Sequence, residues 1–240
     1  GDTLVLKVSK AKPADKNTYA SLYSIVEGLS AAAQIPMPKV YVIDDPNPNA
    51  FATGKSKKKA SIAVTTGMLS IMNRNELEGV LAHETSHIYN NDIQYMMIAV
   101  VFAGAVGILA AFARNMLFFG GIRISNQRDG GGLILLAIVL VLAIIAPLIA
   151  VLVKLAISRR REYMADANGA RLTRNPAALA SALNKIKEYN ENPKATPLKS
   201  ATEVTAPMYI SSPFKKGSFS NLFSTHPPIE ERIKRLQAMY

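Results

Sequence analysis

The sequence predicts an α+β fold, mostly helical with a small sheet, interrupted by a two-helix transmembrane hairpin. Three observations predict it. Apolar residues recur at three-and-four spacing in several polar-faced stretches, the mark of helices that bury one side. Two short β-branched runs, Val40–Ile43 and Ala60–Thr66, are bounded by turn residues. Two uncharged runs, 93–113 and 130–153, each reach the roughly 20 residues that cross a hydrocarbon core.

Residues 1–16 are mixed and lysine-rich, and "TLVLKV" reads as a short extended segment before a polar connector. Between Asn17 and Gln34, Leu22, Ile25, Val26, Leu29 and Ala33 share one face of an amphipathic helix, which Pro36 and Pro38 cannot continue. Val40–Ile43 reads as a buried strand closed by the turn-rich "DDPNPNA". Lys55, Lys57, Lys58 and Lys59 then crowd a solvated turn, with attraction to lipid headgroups as the functional alternative. After the strand "ASIAVTT", Asn75 opens a helix carrying Glu76, Leu77, Val80, Leu81 and Ile88.

The two uncharged runs have Gly and Ala on every face and no polar stripe, so membrane spans are the stronger reading over buried soluble helices. Pro147 is a tolerable kink within the second. Beyond them "SRRREYMADANGARLT" is helical. A second helix follows with Asn175 as cap and Pro176 in its first turn. Residues 192–224 form a long Pro-, Ser-, Thr- and Lys-rich loop, and "PPIEERIKRLQAMY" closes as an amphipathic helix. The chain thus divides into 1–92, a hairpin over 93–157, and 158–240, the outer parts forming one domain.

Lys and Arg outnumber Asp and Glu by 28 to 17, a net charge of +11 that suits an anionic partner. An apolar share of 49% and a mean hydropathy of +0.14 favour a lipid bilayer and argue against a nucleic-acid binder. Oligomeric state stays open. There is no cysteine, which excludes disulfides and thiolate metal sites. The opening Gly1-Asp2-Thr3, without Met or a signal-peptide pattern, reads as a processed or truncated start.

Chemistry concentrates in "LAHETSHIYNND". His83 and His87 lie four apart on one helix face and can share a zinc ion, with Glu84 placed to serve as catalytic base. The chain has three histidines, and two are here. A peptidase zinc takes three protein ligands, so the third is His226 or a carboxylate. Glu162 is the better candidate, because Asp166 one turn later can orient a ligating imidazole. Both ligand-bearing helices adjoin the apolar runs. A hairpin that returns to its starting side brings Glu162 back to the histidines.

Together and in order, "VLAHETSHIYNND", "RRREYMADANGA" and "LFSTHPPIEERIKRL", with "NAFATG" and "ASIAVTTGML" upstream, resemble the HtpX-type membrane zinc metalloproteases, relatives of the CAAX prenyl proteases. The resemblance runs from about Lys12 to the end. It implies a zincin-like catalytic domain of the gluzincin kind, an endopeptidase holding one Zn2+ per chain on His83, His87 and Glu162, with Glu84 as base. It further implies a multi-pass protein of the cytoplasmic membrane, its catalytic side in the cytoplasm, acting on unfolded or damaged membrane proteins in stress response and quality control. Members carry two further N-terminal membrane helices, which this stretch lacks.

Other roles follow from the residues. His226, held extended before Pro227, is a candidate catalytic donor to the oxyanion. Arg232 is a candidate partner for a nearby carboxylate. "ASIAVTT", with Ser61, Ile62, Ala63 and Val64, is a candidate edge strand that receives substrate as an added strand, and Asn49 a candidate contact to its backbone. Only Arg114, Arg123 and Arg128 of the 28 basic residues sit at the far side of the hairpin, while Arg159, Arg160 and Arg161 follow it directly, which favours a cytoplasmic zinc side. A more specific processing protease and a non-catalytic membrane scaffold are the rival readings. Intact Glu84 speaks against the scaffold.

Overall fold

Four strands form one sheet with helices packed on both faces, the metal-site helix among them. The computed structural model describes residues 2–119, 159–193, 195–198, 208–210 and 227–239, with single positions at 141, 145 and 149. In chain order the described elements are α1 (Asp2–Val8), β1 (Lys12–Pro13), α2 (Ala20–Ala32), β2 (Lys39–Ile43), β3 (Ala50–Gly54), β4 (Ala60–Thr65), α3 (Thr66–Ile71), α4 (Arg74–Tyr89), α5 (Asp92–Phe119), α6 (Arg159–Thr173), α7 (Pro176–Glu191) and α8 (Ile229–Gln237).

The sheet runs β1-β2-β4-β3, with β2 and β4 parallel and the outer pairs antiparallel. Every residue of β4 is buried, as befits a strand covered on both faces. On one face Val40, Val42, Ala52, Ile62 and Val64 meet Ile25, Val26 and Leu29 of α2, Val80 and Leu81 of α4, and Leu179 and Leu183 of α7. On the other, Ile43, Phe51 and Ala63 meet Val5 and Leu6 of α1, Met96, Ala99 and Val100 of α5, and Tyr209.

Several sequence expectations change here. "TLVLKV" is helical, not extended: adjacent Val5 and Leu6 both bury, a run too short to display either period. Helix α4 is capped by Asn73 and not Asn75; the Asn73 side chain accepts from Glu76 N, and the Glu76 carboxylate accepts from Asn73 N, a capping box. Glu76 also takes Ser181 Oγ and Lys185 Nζ at 2.7 Å each, tying α4 to α7. "NAFATG" contains a strand. "ASIAVTT" is interior to the sheet, so Ser61, Ile62, Ala63 and Val64 offer no open edge: both sides of β4 are already paired. The edge strands are β1 and β3.

The membrane hairpin is not supported by the described residues. No single described helix is long and apolar enough to cross a membrane; α4 and Asp92–Ile108, bent by 80° to each other, meet that test only jointly. Most of the second run, 130–153, lies outside the described residues. The boundary drawn at 92/93 falls at the start of α5, whose first turns bury Ile93, Met96, Ala99 and Val100 against the catalytic layer. Among its described side chains, Tyr95, Ile98, Val101, Phe102 and Ile108 are exposed.

Candidate metal centre

Helices α4 and α6 cross closely because Gly169 of α6 sits on the backbone of His83. A Cβ there would lie 3.0 Å from His83 N and 3.2 Å from Ala82 C, tighter than ordinary contact. This approach brings Glu162 to the histidines. One ligand atom from each of His83, His87 and Glu162 lies within 4.8 Å of the others, and all three residues are buried.

The imidazoles point their Nε2 atoms at one another, 3.1 Å apart, with Glu162 oxygens 3.7 Å from His83 Nε2 and 3.5 Å from His87 Nε2. Each Nδ1 faces a carboxylate: His83 has Asp166 Oδ1 at 2.9 Å and His87 has Asp92 Oδ2 at 3.1 Å. A carboxylate only accepts, so each Nδ1 carries the hydrogen and donates it. Neutral rings then aim two lone pairs at each other and at a carboxylate. That convergence is repulsive unless a cation sits at the common point, and two imidazoles with one carboxylate are the donor set that a zinc ion takes. The residues fit a metal.

Asp166 is fixed in turn by Arg232, whose Nε donates to Oδ2 at 2.8 Å and whose Nη2 donates to Oδ1 at 2.7 Å. The same guanidinium donates to the Ile210 carbonyl at 2.9 Å and is itself buried. Arg232 thereby joins α8, α6 and the segment 208–210 behind the first histidine. Asp92 was not anticipated. It opens α5 just after Asn91, which takes a left-handed φ of 61° and turns the chain so that the aspartate returns to His87. An acid directly after an Asn-Asn helix break was the available signal.

Glu84 is buried beside this cluster, where the backbone N–H of Ala52 in β3 acts electrostatically on its carboxylate. Asn49 is wholly buried at the start of β3, its backbone N–H donating to Thr65 Oγ1 at 2.9 Å and its carbonyl accepting from Thr65 N at 3.0 Å. His226 lies outside the described residues.

The sequence pattern of peptidase family M48 matches residues 16–240. This chain belongs to peptidase family M48. The "Protease HtpX homolog" of Caldanaerobacter subterraneus subsp. tengcongensis is 50% identical over 240 residues, covering 99% of this chain and 78% of that protein. That of Dictyoglomus thermophilum is 50% identical over 238 residues, covering 99% and 75%. In fold, this M48 chain is similar to the crystal structure of S. mikatae Ste24p, with a TM-score of 0.53 and 20% identity; it covers 98% of this chain but spans only 56% of Ste24p. At that identity the likeness concerns the fold alone.

Electrostatics distinguish the members of the M48 site. Burial pushes the Glu84 carboxyl up to about 8, with the nearby Glu162 charge adding to the rise and His87 and the Ala52 N–H opposing it. Burial pushes His87 down, but its Asp92 hydrogen bond and the charges of Glu162 and Glu84 prevail and raise it to about 9. His83 is lowered, first by burial and then by the Arg232 charge, against the pull of Asp166. Burial would raise Asp166, yet the Arg232 charge and hydrogen bonds hold it well below the usual carboxylate range.

Proposed function

We propose that this M48 peptidase is a membrane zinc endopeptidase that hydrolyses peptide bonds of misfolded or damaged membrane proteins. The observation that carries the reading is the convergence of His83 Nε2, His87 Nε2 and Glu162 beside a buried carboxylate, Glu84, that belongs to none of the three. His83, His87 and Glu162 would hold the zinc. When bound, zinc polarises the scissile carbonyl and lowers the pKa of water toward neutrality.

The chain's own groups supply the rest. Glu84 takes a proton from the attacking water and hands it to the leaving amine. Asp166 and Asp92 hold the two imidazoles in the tautomer that leaves Nε2 free for the metal. The outer edge of β3 lies beside this site, where the Ala52 N–H acts on Glu84 and the Ala50 carbonyl already accepts from Ile210 N, so we place an extended substrate along the rest of that edge as an added strand. Backbone pairing of that kind selects for unfolded chain rather than for sequence, which suits quality control. His226, placed before Pro227, remains our choice for the oxyanion donor.

Our argument for a hairpin that crosses the bilayer is the sequence alone, the uncharged runs 93–113 and 130–153, and Arg159, Arg160 and Arg161 argue for a cytoplasmic catalytic side. The test is cleavage of an unfolded protein by the detergent-solubilised chain with equimolar zinc, beside Glu84→Gln. Cleavage should fall by roughly 10²–10⁴-fold in the variant while zinc binding persists. Retained turnover would refute the assignment.

A further inference from the structure

We propose that the lysine-bearing tip of the β3–β4 hairpin is a docking surface for anionic lipid headgroups, seating the catalytic domain against the bilayer beside α5. The inference rests on the membrane reading above and names the lipid chemistry that would meet this face. Strand β3 ends at Gly54, whose φ of +151° and close approach to the Lys59 carbonyl leave no room for a side chain. The hairpin is therefore pinched at its neck. Lys55, Ser56 and the single 3-10 turn Lys57–Lys59 project beyond it, with Lys55, Lys58 and Lys59 exposed.

The tip does not stand alone. Lys57 Nζ lies 4.8 Å over the ring of Tyr89, the last residue of α4, which is half exposed. Beyond the bend, Tyr95 on the first turns of α5 carries the Arg161 guanidinium at 5.4 Å. Next along α5 come the exposed apolar side chains of Ile98, Val101 and Phe102. Phe51 of β3 packs in one cluster with Met96, Ala99 and Val100, which fixes the hairpin alongside that same helix. Basic tip, aromatic pair and apolar face follow in the order of headgroup, interface and hydrocarbon.

The lysine charges are also available. Among the described residues none of the four lysine side chains has a hydrogen-bond or ion-pair partner. A solvated turn needs no aromatic partner at the mouth of an apolar helix. Four cations at a lipid boundary gain from anionic headgroups, by roughly fivefold in partitioning per lysine.

The chain has no tryptophan, so single reporters can be placed. Tyr89→Trp, which keeps the cation–π contact, and Phe102→Trp are reconstituted separately in nanodiscs of phosphatidylcholine and phosphatidylglycerol, with bromine on the acyl chains of one lipid at a time. Tyr89→Trp should be quenched more strongly by brominated phosphatidylglycerol than by an equal fraction of brominated phosphatidylcholine. Replacing Lys57, Lys58 and Lys59 by Gln should remove the difference, and excess inorganic phosphate should not. Equal quenching by both lipids, a preference that survives the glutamines, or its loss to soluble phosphate would overturn the proposal. Phe102→Trp separates the two readings: quenched by either lipid, it keeps the membrane reading whatever happens at Tyr89; unquenched by both, it overturns that reading and this one together.

Discussion

His83 and His87 stand one turn apart on α4 and each gives its Nδ1 to an aspartate, yet the two aspartates are anchored in different parts of the molecule. Asp166 takes two hydrogen bonds from Arg232, a wholly buried guanidinium that also holds the Ile210 carbonyl. Asp92 has Arg161 at 3.7 Å, an ion pair too long for a hydrogen bond, and that guanidinium is partly exposed. The first arm lies entirely within the catalytic layer. The second begins the helix that leaves it. One histidine is thus oriented by the fold, and the other by the junction between the fold and its apolar helix.

The largest expected effect comes from breaking the buried arm. Asp166→Asn leaves the buried Arg232 with a weakened partner, and the loss should approach the roughly 3–5 kcal/mol of a broken buried ion pair. Zinc affinity should drop by about 10–100-fold, measured by chelator competition alongside thermal unfolding. Gly169→Ala tests the same arm through packing: the added methyl meets the His83 backbone, so α6 must back away, at about 1–3 kcal/mol in unfolding experiments. Asp92→Asn should cost about 10-fold in zinc affinity with little change in stability, because Asp92 and Arg161 are less tightly joined. A loss as large as that of Asp166→Asn would erase the distinction between the arms. Arg161→Gln should change stability by less than about 1 kcal/mol.

The pH dependence sharpens the contrast. His87 is raised to about 9 and Glu84 to about 8, so the folded metal-free chain holds these protons more tightly than the unfolded chain. That contribution is present in acid and is lost as pH rises through those values. With a chelator present, these two groups should lower the melting temperature as pH rises from 4.5 to about 8 for Glu84 and from 6.5 to about 9 for His87. Asp92→Asn should flatten the fall, since the Asp92 hydrogen bond is the leading cause that raises His87.

Much of the site was readable because it follows helical arithmetic. His83 and His87 at four apart, and Glu162 and Asp166 at four apart, share faces by the 3.6 period alone. The Asn73 capping box was equally readable from its three-residue spacing to Glu76, but Asn75 was the wrong asparagine to choose. What the period cannot reach is tertiary. Sheet order depends on which strands meet in space, so β4, with the stronger strand composition, reads as an edge although the edges are β1 and the plainer "AFATG". Asp92 was missed for a related reason: its approach to His87 depends on one left-handed residue, Asn91, and not on any repeat.

The most direct test of the central claim is zinc-edge X-ray absorption on the purified chain carrying equimolar zinc. The account predicts a four-coordinate shell of nitrogen and oxygen only, at about 2.0–2.2 Å, with outer scattering from two imidazoles that falls to one in His87→Ala. A shell containing one imidazole in the unsubstituted chain, or zinc that washes away at equimolar loading, would contradict it.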